Sequence, residues 1–184
     1  MSVEMKKERI SVALGNQKAD LVIKNARIIN VFTREIILGD IAICKDLIVG
    51  IGNYSGIAEI DAEGRYACPG LIDSHVHIES FMACPSEFAK AILPHGTTTI
   101  IADPHEITNV CGINGIHFML DQTKNLPLNV YIMVPSCVPA TSFENNGASL
   151  SAEVMEPLTA VDRVIGLGEV MDYVSVLSGD KTML

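Results

Sequence analysis

Apolar and polar positions divide the chain into two textures. From Ala19 to Cys68, short β-branched runs ("DLVIKNARIINVF", "EIILGDIAICKDLIVGIG", "AEIDAEGRYACPG") are broken by Gly, Asn and Asp. That pattern predicts antiparallel strands and hairpins in a small β-rich domain. Residues 1–18 ahead of it are polar and weakly patterned, and read as a short helix or a loose arm. After Pro69, strand-like runs recur at 70–78, 97–103, 128–134 and 163–171, with helix-like stretches between them. "PSEFAKAIL" carries Pro85 in a first-turn position and stops before Pro94. "ITNVCGINGIHFMLDQTKN" spaces Val110, Ile113, His117 and Leu120 as one helix face. "SAEVMEPLTAV" opens on Ser151, an N-cap type.

Strands alternating with helices at intervals of about 30 residues indicate βα units and a parallel sheet. Four units are present, either in an open doubly wound sheet or as a slice of a (β/α)8 barrel. No glycine-rich phosphate turn follows the first strand, which counts against a nucleotide-binding open sheet. A whole barrel takes about 250 residues, so four units amount to half of one. The expected fold class is therefore α/β, the first half of a (β/α)8 barrel preceded by a small β-rich domain. The expected divisions are an arm over 1–18, the β-domain over 19–68 and four βα units over 69–184. The sequence stops at Leu184 without an evident cap, and reads as cut off there.

Composition narrows the class. Apolar residues make up 48% and charged residues 19% of 184, which suits a core-forming protein and excludes a disordered one. A net charge of -9 disfavours a partner such as nucleic acid, whose phosphates need a basic surface. The five cysteines are scattered, odd in number and without a CxxC, as in reduced thiols of a cytoplasmic protein. The first residues lack a signal-peptide core, and no apolar run approaches the ~20 residues of a membrane span. A cytoplasmic protein with no membrane partner is expected.

Candidate chemistry sits at the strand ends. In "PGLIDSHVHIESF", alternation places Asp73, His75, His77 and Glu79 on one strand face and Ile72, Val76 and Ile78 on the other. Four polar groups on one face need solvent or a partner, and two imidazoles at a strand's C-terminal end can share a divalent cation. The plain alternative is a solvated polar face. In "TTTIIADPHE", a β-branched strand runs into Asp103, Pro104, His105 and Glu106, on the face where barrels build their sites. The alternative there is a helix start with Asp103 as N-cap and Pro104 as first residue. Capping leaves His105 and Glu106 free for a second role, and they are the candidate catalytic pair. In "VIGLGEVMDY", Glu169 follows an apolar strand; a carboxylate there can bridge two ions, or alternatively pair with a basic residue. "MVPSCVPATSFENNG" reads as a rigid pocket loop in which Cys137 lacks a local base. His95 and His117 read as structural or surface residues.

"GLIDSHVH" after a small β-domain, followed by βα units, resembles the amidohydrolase superfamily of metal-dependent hydrolases. The longer run "PGLIDSHVHIESFMACPSEFAKAILPHGTTTIIADPHEITNVCG", with "PLNVYIMVPSCVPAT" and "GLGEVM", is similar to its adenine-deaminating branch over residues 19–184. The resemblance implies an amidohydrolase barrel, with His75 and His77 as first-strand metal ligands and Glu169 as a bridging ligand. It implies a binuclear centre of manganese or iron, a homo-oligomer, and conversion of adenine and water to hypoxanthine and ammonia in purine salvage. Two further histidine ligands and a catalytic aspartate are implied on later strands; none falls within residues 1–184, so the span alone is expected to be inactive. Two other readings stay open: an amidohydrolase acting on another cyclic amide or amidine, and a non-catalytic fragment retaining a partial metal site.

Overall fold

In the computed structural model, residues 2–141 and 143–180 are described, and they form two compact units, Met1–Pro69 and Gly70–Leu184. The first is built on β1 (Ala19–Asn30), β2 (Glu35–Cys44), β3 (Leu47–Gly52), β4 (Gly56–Asp61) and the short β5 (Tyr66–Ala67). Their order is β3-β2-β1-β4, with β5 also beside β1. The β1–β2 and β2–β3 pairs are antiparallel as the hairpin pattern predicts, but β4 and β5 run parallel to β1.

A polar anchor sits at the crossing into β4. The chain crosses from β3 to β4 through Asn53–Ser55, and the crossing is held by Asp40 and Lys24. Asp40, only 6% exposed, accepts hydrogen bonds from the Lys24 ammonium, from Asn25 N–H at 3.1 Å and from Tyr54 N–H at 3.2 Å. Lys24 also donates to the Tyr54 carbonyl at 2.8 Å. Alternation of side chains carries no information about strand direction, so the parallel pairing could not be read from it.

The N-terminal stretch is a helix, α1 (Val3–Ala13), capped by Ser2, whose Oγ accepts from Met5 N–H at 3.2 Å. Val12 is buried with Ala19, Val22, Ala42 and Cys44, and the Tyr54 hydroxyl donates to the Ala13 carbonyl at 2.9 Å. The arm is thus part of the first unit.

The second unit carries β6 (Leu71–Val76), β7 (Thr97–Ala102), β8 (Asn129–Val134) and β9 (Val164–Leu167), all parallel and in sequential order. A doubly wound sheet reverses its strand order at a switch point; these four strands do not. The connections include α2 (Pro85–Ile92), with Pro85 in its first turn, α3 (His105–Cys111), α4 (Ile113–Thr123) and α5 (Ala152–Met155), and α6 (Tyr173–Ser178) follows β9. Ile100, Ile116, Met119, Ile132, Val134 and Leu158 are among the residues of one apolar core.

The single helix expected over 107–125 is two. Gly112 breaks it with φ 63° and ψ -147°, a conformation essentially closed to residues with a Cβ. The break resets the helical register, so the buried positions of α4 are Gly115, Ile116, Met119, Leu120 and Thr123, while Val110 is 66% exposed and His117 is also exposed.

The Asp40 anchor gives a stability test with a definite sign. Burial opposes ionisation of Asp40, but hydrogen bonds from Lys24, Asn25 and Tyr54 outweigh it and hold the pKa below the ordinary carboxylate value. The stabilisation is therefore complete above the unfolded pKa of about 3.9 and is lost as pH falls through the lower folded value. Urea unfolding of Asp40→Ala should show a loss of roughly 1–3 kcal/mol at pH 7, with the gap from the parent narrowing below about pH 4.

Candidate metal centre

The C-terminal end of β6 delivers two imidazoles to one place. Strand alternation puts His75 and His77 on the same side, and His77 continues the extended path with φ -107° and ψ 103°. Asp73 turns inward on its own backbone, accepting from His75 N–H at 3.2 Å. His75 Nε2 and His77 Nε2 lie 3.0 Å apart. Glu169, just past β9, brings Oε1 to 3.3 Å from His77 Nε2 and 3.5 Å from His75 Nε2.

This triangle fits a cation. A point about 2 Å from all three atoms exists, the length of a metal–imidazole or metal–carboxylate bond. Without a cation, two ring nitrogens at 3.0 Å must share a proton to avoid opposing lone pairs. The three groups can hold a metal ion, each offering one ligand atom within 4.8 Å of the others. Among the described residues, Glu169 lies at ion-pair distance from the two imidazoles and from no lysine or arginine.

Behind His77 stands Glu106, in the first turn of α3. Its Oε2 is 3.2 Å from His77 Nδ1, at ion-pair distance but off the line of a hydrogen bond, and its Oε1 accepts from Ser80 Oγ at 2.8 Å. Partial burial of the His77 ring opposes protonation, yet the carboxylates of Glu106, Asp103 and Glu169 outweigh it and raise its pKa above the ordinary histidine value. A carboxylate on the rear nitrogen turns the other nitrogen toward the site.

Two expectations need correction. The strand ends at Val76, and a 3-10 turn over Ile78–Phe81 carries Glu79 off the histidine face, where its Oε1 accepts from Ile107 N–H at 3.3 Å. Burial raises the Glu79 pKa. Of the expected row of four, only the two histidines converge; Ile72, on the other face, is 65% exposed. Nor does Asp103 cap α3, whose N-terminus has no side-chain cap. Asp103 instead reaches across the sheet, its Oδ2 accepting from Glu169 N–H at 3.2 Å. It is 1% exposed, and burial raises its pKa.

His105 is buried at the start of α3 and its Nδ1 has no hydrogen-bond partner; it is not one of the three converging groups. Ser136, at the start of the expected pocket loop, donates to the Glu169 carbonyl, and Cys137 beside it is buried. His95 closes the short turn after α2. The Asp103 and Ser136 contacts with Glu169 escaped the sequence reading, because both join residues far apart in the chain. The available hint was three polar groups at three successive strand ends.

The sequence pattern of the amidohydrolase family matches residues 66–176. The chain belongs to the amidohydrolase family. It is 62% identical to an adenine deaminase of Geobacillus kaustophilus over 176 residues, 96% of this chain and 30% of that protein. It is 58% identical to an adenine deaminase of Clostridium acetobutylicum, over 96% of this chain and 31% of that protein. With the Bacillus subtilis adenine deaminase the identity is 53% over all 184 residues, 32% of that protein. The chain thus spans about a third of the length of these relatives. Among solved structures, an N-acyl-D-glutamate deacylase from Bordetella bronchiseptica, complexed with zinc and a phosphonate inhibitor, superposes with TM-score 0.57 at 16% identity, over 84% of this chain and 39% of that one. A β-aspartyl dipeptidase from Fervidobacterium islandicum gives 0.53 at 22% identity, over 84% of this chain and 41% of that one. Both likenesses concern the fold. Among the described residues no helix is long and apolar enough to cross a membrane.

The triangle predicts metal uptake. In a chain of the relatives' full length, replacing both His75 and His77 with Ala should sharply lower bound divalent metal, read by elemental analysis; unchanged metal content would sink the ligand assignment.

Proposed function

We propose that this chain supplies part of the metal centre of an enzyme that hydrolyses adenine to hypoxanthine and ammonia. One observation carries the reading: His75, His77 and Glu169 converge within 3.5 Å at the ends of parallel strands. They do so in a chain 62% identical to an adenine deaminase over 96% of its length. The four sequential strands are, on this reading, the first half of a (β/α)8 barrel preceded by the β-rich unit.

His75 and His77 would hold the cation through their Nε2 atoms, with Glu169 as the carboxylate ligand placed to bridge to a second ion. A divalent ion so held supplies a coordinated water whose pKa falls to about 7, nucleophilic at neutral pH. Attack at C6 of adenine requires a proton on a ring nitrogen and another on the departing exocyclic nitrogen, so that water's two protons end on hypoxanthine and ammonia. A carboxylate must move them. Glu106 serves the centre from behind: it holds the His77 ring so that Nε2 faces the cation. Its engagement with Ser80 Oγ and His77 Nδ1 supports this role over that of the mobile proton carrier. His105, buried beneath, takes part only by packing and charge near Asp103.

The binuclear character, the choice of manganese or iron, a homo-oligomeric state, a cytoplasmic location and a place in purine salvage belong to the same proposal. The location rests on the scattered cysteines without a CxxC, and the others on the resemblance of the motifs.

The deciding assay is ammonia release from adenine, hydantoin and dihydrouracil by a chain of the relatives' full length carrying residues 1–184, supplied with manganese. Turnover on adenine is expected; turnover confined to the cyclic amides would replace adenine by another substrate. The 184-residue span alone should show none, since the further histidines and the aspartate that the resemblance implies are not in it. Glu106→Ala should weaken manganese binding about tenfold, measured by metal titration.

A further inference from the structure

The Glu169 peptide is gripped on both sides by side chains from two neighbouring strand ends. Asp103, directly after β7, accepts from Glu169 N–H through Oδ2 at 3.2 Å. Ser136, two residues past β8, donates from Oγ to the Glu169 carbonyl. One residue earlier, Gly168 N–H donates to the Val134 carbonyl at 2.7 Å, the last rung of the β8–β9 ladder. Beyond that rung β9 has no regular pairing, and the backbone of Glu169 has these two side chains in its place.

Gly168 makes the grip possible. A Cβ at position 168 would lie 2.2 Å from Asp103 Oδ2 and 2.8 Å from its carboxyl carbon, a full overlap. The carboxylate therefore occupies the space a side chain would fill. Asp103 is 1% exposed, caps no helix, and leaves Oδ1 without a hydrogen-bond partner. A buried carboxylate is expensive unless its bonds serve the structure or a ligand. The bond it does make ends on the residue whose carboxylate completes the His75–His77 triangle.

We propose that Asp103 and Ser136 are positioning residues that clamp the Glu169 backbone, fixing its carboxylate against the two imidazoles, with Gly168 obligatory for the clamp. The inference rests on the metal-centre reading above. Its consequence is that metal retention depends on two residues that contribute no ligand atom to the triangle, and that the dependence is on hydrogen bonding to a peptide.

The test uses the full-length protein and Asp103→Ala, Asp103→Asn, Gly168→Ala and Ser136→Ala, with manganese affinity measured by titration of the metal-stripped protein and kcat measured at saturating manganese. Asp103→Ala and Gly168→Ala should each weaken manganese binding about 10–100-fold, while kcat at saturating metal recovers most of the parent value. Asp103→Asn should stay near parent affinity, because the amide oxygen still accepts from Glu169 N–H. Ser136→Ala should weaken binding by a smaller factor. Parent affinity in Asp103→Ala would overturn the clamp, and so would an Asn variant as weak as the Ala variant. A loss of kcat that excess manganese does not restore would also overturn it, by moving Asp103 into the chemistry. If Asp103→Ala does not fold, Ser136→Ala decides: weakened binding supports the clamp and parent affinity ends it. His77→Ala, run alongside, separates the two readings. If it too keeps parent affinity, the metal centre itself is wrong; if it loses metal while Asp103→Ala does not, only the clamp is.

Discussion

The meeting of Glu169 with His75 and His77 constrains everything else in the second unit. β6 and β9 are the first and last of four parallel strands, three spacings apart, which in a flat sheet is roughly 14 Å. Side chains standing perpendicular to such a sheet could not meet across that gap. Their approach to 3.3–3.5 Å therefore requires the sheet to curl, bringing the C-terminal strand ends toward a common axis. Sequential parallel order and curvature in one sense are what the proposed half-barrel requires.

Curvature also explains why polar groups collect where they do. Each strand ends at the concave mouth, and each contributes something there: His75 and His77 from β6, Asp103 from β7, Ser136 from β8, Glu169 from β9. The face that the strands turn to the core is apolar, with Ile100, Ala102, Ile132 and Val134 buried. The core supplies rigidity and the strand ends supply chemistry, a division that lets the site tolerate carboxylates that a closed core would not. Glu106, Asp103 and Glu169 all lie near His77, and their combined field keeps its pKa up despite partial burial. An environment with that much negative charge favours a cation.

Orientation in this site comes from behind as much as from the converging atoms themselves. Glu106 addresses the rear of one imidazole, and Ser80 fixes Glu106. Asp103 and Ser136 address the backbone of the carboxylate. Ligand atoms can be held to a few tenths of an ångström only if the groups that carry them are themselves immobilised, and here the supports come from different strand ends, so the geometry is a property of the sheet and not of any one segment.

The sequence by itself pointed to the composition of the strands, their number in the second unit, and the three residues that converge, His75, His77 and Glu169. His75 and His77 are two residues apart on a strand, and a period of two is a local fact. The βα rhythm, the Pro85 helix start and Glu169 at a strand end were legible for the same reason. What only the tertiary structure decided is contact between distant positions. Parallel pairing of β4 with β1 was not legible, because alternation is blind to strand direction. The helix break at Gly112 moved the buried face of α4, because one left-handed residue resets a 3.6-residue period. The turn after Val76 removed Glu79 from the histidine row. Asp103 read as a polar group at a strand end or as a helix cap; its partner, 66 residues away, turned out to be a backbone amide. Local periodicity places a side chain on a face, but which other face it meets is set by how the sheet curls.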